Sequence, residues 1–281
     1  MLPSSSLTPL GLALPSFDAT GFSVTAFQVL VAATSFQSQI SAATPYSKFS
    51  DGLGTSSKKT MLTGRQGMLL IYTPALVRSL VALPDALSAP EGSRELLVVG
   101  MLIFHFLKRC LEALFVHKYS GTVDAGTSGF IGVYYAIVAS LVISFQSGVS
   151  NDLYSKSNSF FVIGIALFVI GQIGNLYHHC LLSSLRDEKK TPNAAGTNGN
   201  TARVYKIPSG GLFSLVATPH YLFEIIAWVG VGLVCQQLNC LLVAVGMASY
   251  LGGRAVTTNK WNRENIRGYP TERKNIVPFL F

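Results

Sequence analysis

The sequence predicts an all-α protein, a polytopic membrane bundle of seven transmembrane helices. Three observations carry this. Hydrophobic residues make up 49% of the 281 positions and charged ones only 12%, about half the ~25% of soluble domains. The mean hydropathy is +0.42. Seven stretches also have the ~17–25 mostly apolar residues that a helix needs to cross a bilayer. A soluble domain with a greasy core would need helices with polar outer faces, and these segments have none. The alternating pattern of about ten residues that a membrane barrel repeats is absent as well.

The first stretch is 20–36. It follows a Ser-rich, acid-poor start whose first lysine is Lys48, so a cleaved secretory signal is not expected. The second is 67–83. The third, 96–116, carries His105, Lys108, Arg109 and Glu112 at i, i+3, i+4 and i+7, on one helical face. An ion pair of Glu112 with either cation and a pocket role are both open there. The fourth is 128–145. The fifth, 160–182, holds Gly164, Gly171 and Gly174, which suit close helix packing, and presents Asn175 and His179 one turn apart, with Arg186 beyond. The sixth, 218–235, opens with His220, Glu224 and Trp228 at i, i+4 and i+8. The seventh is 238–256. Ionisable groups at membrane depth are costly and face the bundle interior, so the fifth and sixth stretches point to a polar pocket. Residues 187–202 are polar and Gly/Asn-rich and read as a flexible loop. No second domain is apparent, so 1–281 is read as one transmembrane unit.

Charge orients the bundle. With seven crossings and a cytosolic C-terminus, 18 of the 21 basic residues fall on the cytosolic side, leaving Arg78, Arg94 and Lys156 opposite. The net charge of +8 is spread over several loops, which argues against nucleic acid as a partner. The cysteines, Cys110, Cys180, Cys235 and Cys240, form no C-x-x-C pair and read as buried thiols. The histidines make no box of the kind membrane di-iron enzymes use, so no metal is expected. Soluble nucleotide motifs are missing.

Tyr205-Lys206-Ile207-Pro208-Ser209-Gly210-Gly211-Leu212-Phe213, then Pro219-His220-Tyr221 and Glu224, resemble the C-terminal signature of the steroid 5α-reductase family. The ending Tyr269-Pro270, Arg273-Lys274 and Ile276-Val277-Pro278-Phe279-Leu280-Phe281 is similar too, as is Asn175 with Arg186. This resemblance covers about 160–281. His105 to Glu112, continuing to Ser120, resembles the very-long-chain trans-2-enoyl-CoA reductase branch, and several segments look like a plant-type branch of the family.

The resemblance implies a seven-helix endoplasmic-reticulum oxidoreductase acting on CH–CH groups, with NADPH entering from the cytosol and a lipid-like substrate from the membrane. Carried over by position, Asn175, His179, Arg186, Tyr205, Lys206, Glu224, Trp228 and Arg254 fall in the cofactor pocket. Arg186, Lys206 and Arg254 would serve the phosphates, Asn175 and Glu224 the carboxamide or ribose. The chain also departs from the family. Tyr72 stands where an acidic residue is usual, Phe106 where a Tyr is, His179 for an Asp, His220 for an Asn, and Thr258 and Asn262 for a His and a Tyr.

Reducing an activated alkene needs hydride at the β-carbon, a proton at the α-carbon and a donor to the developing enolate oxygen. Tyr72, His105, His179 and His220 are candidate donors; Tyr72 and His220 are assigned the catalytic role. The expected substrate is a 3-oxo-4-ene steroid or a 2-enoyl compound. A polyprenol- or sterol-type alkene reductase, and a catalytically altered lipid-binding protein, remain alternatives.

Overall fold

The computed structural model describes residues 12–15, 18–44, 60–89, 94–119, 121–147, 159–186 and 205–281. The expected loop at 187–202 lies outside them.

The protein is mostly helical. Helix α1 spans Ala19–Ser41 and is capped by Asp18, whose carboxylate accepts from the Gly21 backbone N–H at 2.7 Å. Helix α2, Gly64–Val81, starts on a capping box in which Thr63 and Gln66 bond each other's backbone N–H. A short α3, Leu83–Ser88, follows. Helix α4, Glu95–Leu111, runs on into a wider π turn over Glu112–Val116. Helices α5, Ala125–Ser147, and α6, Ser159–Ser184, come next. Helix α7, Pro219–Cys235, begins with proline, whose missing N–H is harmless in the first turn. Helix α8, Leu238–Asn265, is capped by Gln237.

Each of the seven expected stretches thus coincides with a helix. Among the described residues, five helices are long and apolar enough to cross a membrane: Ala19–Ser41, Gly64–Ser88, Ala125–Gln146, Ser159–Ser184 and Leu238–Asn265. Helices α4 and α7 are shorter, at 17 residues each. Helix α8 extends past the expected end at 256, so Thr258 and Asn262 sit within it rather than after it. Strands β1, Met61–Thr63, and β2, Thr122–Asp124, form an antiparallel ribbon that the hydropathy pattern did not announce. Three residues are too few for alternation to register, and the ribbon arises because α2 and α5 pack side by side and bring their N-termini together.

The connections gather at two ends. At one, Ala13 exchanges backbone hydrogen bonds with Gln236 and Leu238, of 2.8 and 2.9 Å, and buried Arg94 donates to the Gln236 side chain. At the other lie the ribbon, Thr44 bonded to Arg254 at 3.0 Å, and Lys274 paired with Leu215 and Ala217. Between them lies the larger of two apolar clusters among the described residues, which includes Tyr72, Leu102, Phe106, Val142, Phe168, Trp228 and Met247.

Candidate functional site

Helices α4, α6 and α7 meet α2 toward the end that holds the ribbon. Glycine allows the closest approach: a Cβ at Gly171 would lie 2.5 Å from the Ala227 backbone nitrogen, and one at Gly230 2.5 Å from that of Phe168. Helices α6 and α7 therefore touch backbone to backbone, as small residues in membrane helices permit, and their polar faces are held together.

The α4 stripe turns into this junction. Glu112, 1% exposed, accepts from Lys108 at 2.9 Å and from Arg109 at 2.5 Å. Both ion pairs allowed by the spacing are formed. Arg109 also donates to the Tyr72 hydroxyl at 2.5 Å, with its guanidinium 4.7 Å from the phenol ring centre. His179 Nδ1 lies 3.0 Å from Arg109 and 3.2 Å from Glu112. Lys108 donates to Asn175 Oδ1 at 2.6 Å, and the Asn175 amide donates to the His220 carbonyl at 2.9 Å.

One turn deeper, His105 bridges α6 and α7. Its Nδ1 is 2.9 Å from Gln172 Nε2 and its Nε2 is 3.3 Å from Glu224. The Trp228 ring meets it edge-on at 5.2 Å. A buried carboxylate is tolerated only with partners, and both Glu112 and Glu224 have them.

The structure thus brings together Tyr72, Asn175, His179, His220, Glu224 and Trp228 of the expected site. The other four stand apart. Arg186 and Lys206 are exposed, Tyr205 packs edge-on against Trp261 at 4.6 Å, and Arg254, 1% exposed, bonds Thr44. An open pocket of about 470 Å³ has a lining that includes Asn259, Lys260, Arg263, Arg273 and Lys274 and none of these four.

Two residues escaped the sequence reading. Gln172 shares the Asn175 face, but it carries no charge to betray it. His117 follows the π turn, outside the helix, and its ring packs 4.7 Å from that of His179. Burial, with His179 and Arg109 beside it, pushes the His117 imidazole down to about 3. Glu112, His117 and His179 each place a ligand atom within 4.8 Å of the others, a spacing that could hold a metal ion. The Arg109 guanidinium touches two of those three residues, so a divalent ion there would have to displace an existing cation.

Several buried polar atoms have no partner among the described residues: Gln172 Oε1, Trp228 Nε1, His220 Nδ1 and Arg109 Nε. Unmet polar atoms in a low-dielectric interior are expensive, and they commonly mark where a ligand or water belongs.

The family model described as 3-oxo-5-alpha-steroid 4-dehydrogenase matches residues 105–281. The chain is 30% identical over 195 residues to a very-long-chain enoyl-CoA reductase from Dictyostelium discoideum, covering 68% of this chain and 60% of that one. It is 27% identical to a polyprenal reductase from Xenopus tropicalis, covering 66% and 61%. It is 26% identical to a 3-oxo-5-alpha-steroid 4-dehydrogenase 2 from Macaca fascicularis, covering 70% and 72%. The match therefore spans about 60% of the length of the first two relatives.

Proposed function

The chain belongs to the 3-oxo-5-alpha-steroid 4-dehydrogenase family, and from that premise we propose that it is a membrane-embedded, NADPH-dependent reductase of a carbon–carbon double bond in an apolar, lipid-like substrate. The observation that carries this reading is the buried polar junction of α4, α6 and α7, with donors and acceptors left unpaired inside an otherwise apolar core. A nicotinamide ribose has the complementary groups, so the residues present fit the cofactor.

In this reading the whole chain, 1–281, is one reductase unit with seven crossings, lodged in the endoplasmic reticulum with its C-terminus cytosolic. The sorting of connections to two ends, alternating along the chain, supports the count. Arg186, Lys206 and Arg254 serve the phosphates, and Tyr205 is assigned to the same part of the cofactor pocket. Asn175, His179, Glu224 and Trp228 hold the nicotinamide end.

Bound NADPH supplies the hydride. The protein orients the substrate, excludes water and handles the proton. Arginine has only donors, so the Tyr72 hydroxyl accepts from Arg109 and directs its own hydrogen elsewhere. The adjacent positive charge makes that phenol a better donor to a developing enolate oxygen, a role worth about 2–4 kcal/mol in a dry site. His220, with its buried Nδ1, takes the second catalytic place at the α-carbon. A donor of this kind calls for a carbonyl conjugated to the alkene, as in an enone, an enal or an enoyl thioester.

Purified protein in detergent should bind NADPH and oxidise it with a 4-en-3-one steroid, a trans-2-enoyl-CoA or a polyprenal. Failure to bind the dinucleotide by calorimetry would sink the reading. Binding without turnover of any of the three would favour the catalytically altered, lipid-binding alternative, which Thr258 and Asn262 in α8 motivate.

A further inference from the structure

The end of the bundle that holds the ribbon also carries a strongly basic pocket that the proposed reaction leaves unused. It lies where the last turns of α8 hold the segment 271–275, through bonds from Asn259 and Arg263 to its backbone. The open space of about 470 Å³ has Lys260, Arg263, Arg273 and Lys274 in its lining against a single acidic side chain, Glu264. That volume falls within the ~300–1,000 Å³ of small-ligand sites. Among the described residues, none of the four cations is paired with a carboxylate.

Arg273 feels this imbalance most, because its residue is only 6% exposed. Its guanidinium donates to the Pro208 carbonyl at 2.8 Å and lies 5.1 Å from the Tyr269 ring centre. Its Nε–H is buried and has no partner among the described residues. A buried charge without an opposite charge is costly, and the pocket that Arg273 lines is the space in which an anion can reach it.

The rim is apolar. Phe279 and Leu280 are 78% and 80% exposed, and Leu280 and Phe281 belong to the pocket lining. Phe279 holds a φ of 66°, in the left-handed region that bulky side chains avoid. The Phe281 carbonyl, accepting from the Ile276 and Val277 N–H groups at 2.8 and 2.7 Å, closes the turn that imposes this conformation. The Phe281 ring packs 6.1 Å from that of Phe36 in α1, a helix long and apolar enough to cross a membrane. Unpaired cations and outward-facing apolar side chains therefore sit together beside a membrane-crossing helix. A soluble anion would need only the cations.

We infer that this pocket binds an anionic phospholipid whose headgroup carries a phosphomonoester. Such a group brings a charge of about −1.5 to −2, which a zwitterionic headgroup does not. Arg263 and Arg273 grip the phosphate oxygens, the exposed Lys260 and Lys274 add attraction, and Phe279 and Leu280 lie among the acyl chains. Binding of this kind requires the chain to be in a membrane and owes nothing to the NADPH reading.

The test measures binding to the full chain in detergent by calorimetry, with three ligands: dioctanoyl phosphatidic acid, dioctanoyl phosphatidylcholine and glycerol 3-phosphate. The wild type should bind the phosphatidic acid at least about tenfold more tightly than either of the others. Lys260→Gln with Lys274→Gln changes two exposed side chains and should weaken phosphatidic acid about 30-fold, while NADPH affinity stays within about twofold. Equal binding of the two lipids overturns the inference, as does a double variant that keeps its affinity for phosphatidic acid. Glycerol 3-phosphate bound as tightly as the lipid would make this a site for a free phosphate ester. A 30-fold loss shared by NADPH would give the pocket to the dinucleotide. Either of these two results also overturns the lipid assignment.

Discussion

Glu112 neutralises two cations at once. Its carboxylate is almost fully buried and accepts from Lys108 and Arg109. Glu112→Gln keeps the shape and removes the countercharge from one ammonium and one guanidinium group at membrane depth. Breaking one partner of a buried pair costs about 3–5 kcal/mol, so a clear drop in thermal unfolding temperature in detergent is expected. An unchanged transition would mean that Lys108 and Arg109 find their compensation elsewhere. Tyr72→Phe is the complementary change. It should lower turnover by about 10²–10³ while leaving NADPH affinity within about twofold; a mutant with wild-type turnover would remove Tyr72 from the chemistry. The stripes on α4, α6 and α7 were legible because helical spacing aligns charged residues. The Arg109–Tyr72 bond was not, since it joins two helices whose register against each other no local pattern encodes. Gln172 had no such signature, because a neutral amide adds no charge to the helical stripe.

His117 gives the site a pH dependence with a definite sign. Its folded imidazole is pushed down from 6.5 to about 3, first by burial. An unfolded chain takes up the proton near the higher value, so the stability carried by neutral His117 is complete above about pH 6.5 and is lost as pH falls from there toward 3. Between pH 7 and pH 5 this loss comes to about 1–2 kcal/mol. Thermal shifts at the two pH values should show it for the wild type and show less for His117→Asn.

Among the elements, the crossing of α6 and α7 decides whether the site exists. Gly171 abuts the Ala227 backbone and Gly230 that of Phe168. Neither neighbour is a flexible side chain that can yield. Gly171→Val should force the helices apart at a cost of about 1–3 kcal/mol and lower dinucleotide affinity as well, because Asn175 and His179 ride on the same helix. A variant that binds NADPH normally would show that the polar faces tolerate separation. Helical glycines at close spacing signalled such packing in advance, but not which helix would fill the gap. The end of α4 was less legible. An uninterrupted helix to 116 is the reading of apolar content alone, whereas the chain widens into a π turn after Leu111, closed by the His117 backbone N–H on the Glu112 carbonyl at 2.8 Å. Wider turns of this type collect at functional sites, and this one sets His117 against His179.

For the whole molecule, the two-ended sorting of connections makes a labelling prediction. In sealed microsomes, a membrane-impermeant maleimide should modify Ser209→Cys and Thr271→Cys, and should reach Ser88→Cys only after detergent is added. Labelling of all three from outside would contradict seven crossings. Hydropathy located α1, α2 and α4 to α8 because bilayer thickness imposes a length, while the six-residue α3 is too short to register. The basic residues predict which end faces the cytosol, because charge bias operates loop by loop, and the labelling experiment tests that orientation. The ribbon of β1 and β2 and the exposed positions of Arg186 and Lys206 depend on tertiary packing and had no such signature.

Helix α1 packs chiefly on α8, and the two are joined through polar groups. The Gln28 amide donates to the Asn239 carbonyl at 3.1 Å and accepts from the Asn239 side chain at 2.7 Å. During synthesis α1 leaves the ribosome long before its partner does. It must wait in lipid with Gln28 unsatisfied until α8 arrives, which makes docking of these two helices the late, committing step of assembly and leaves any chain stalled before Asn239 exposed to quality control.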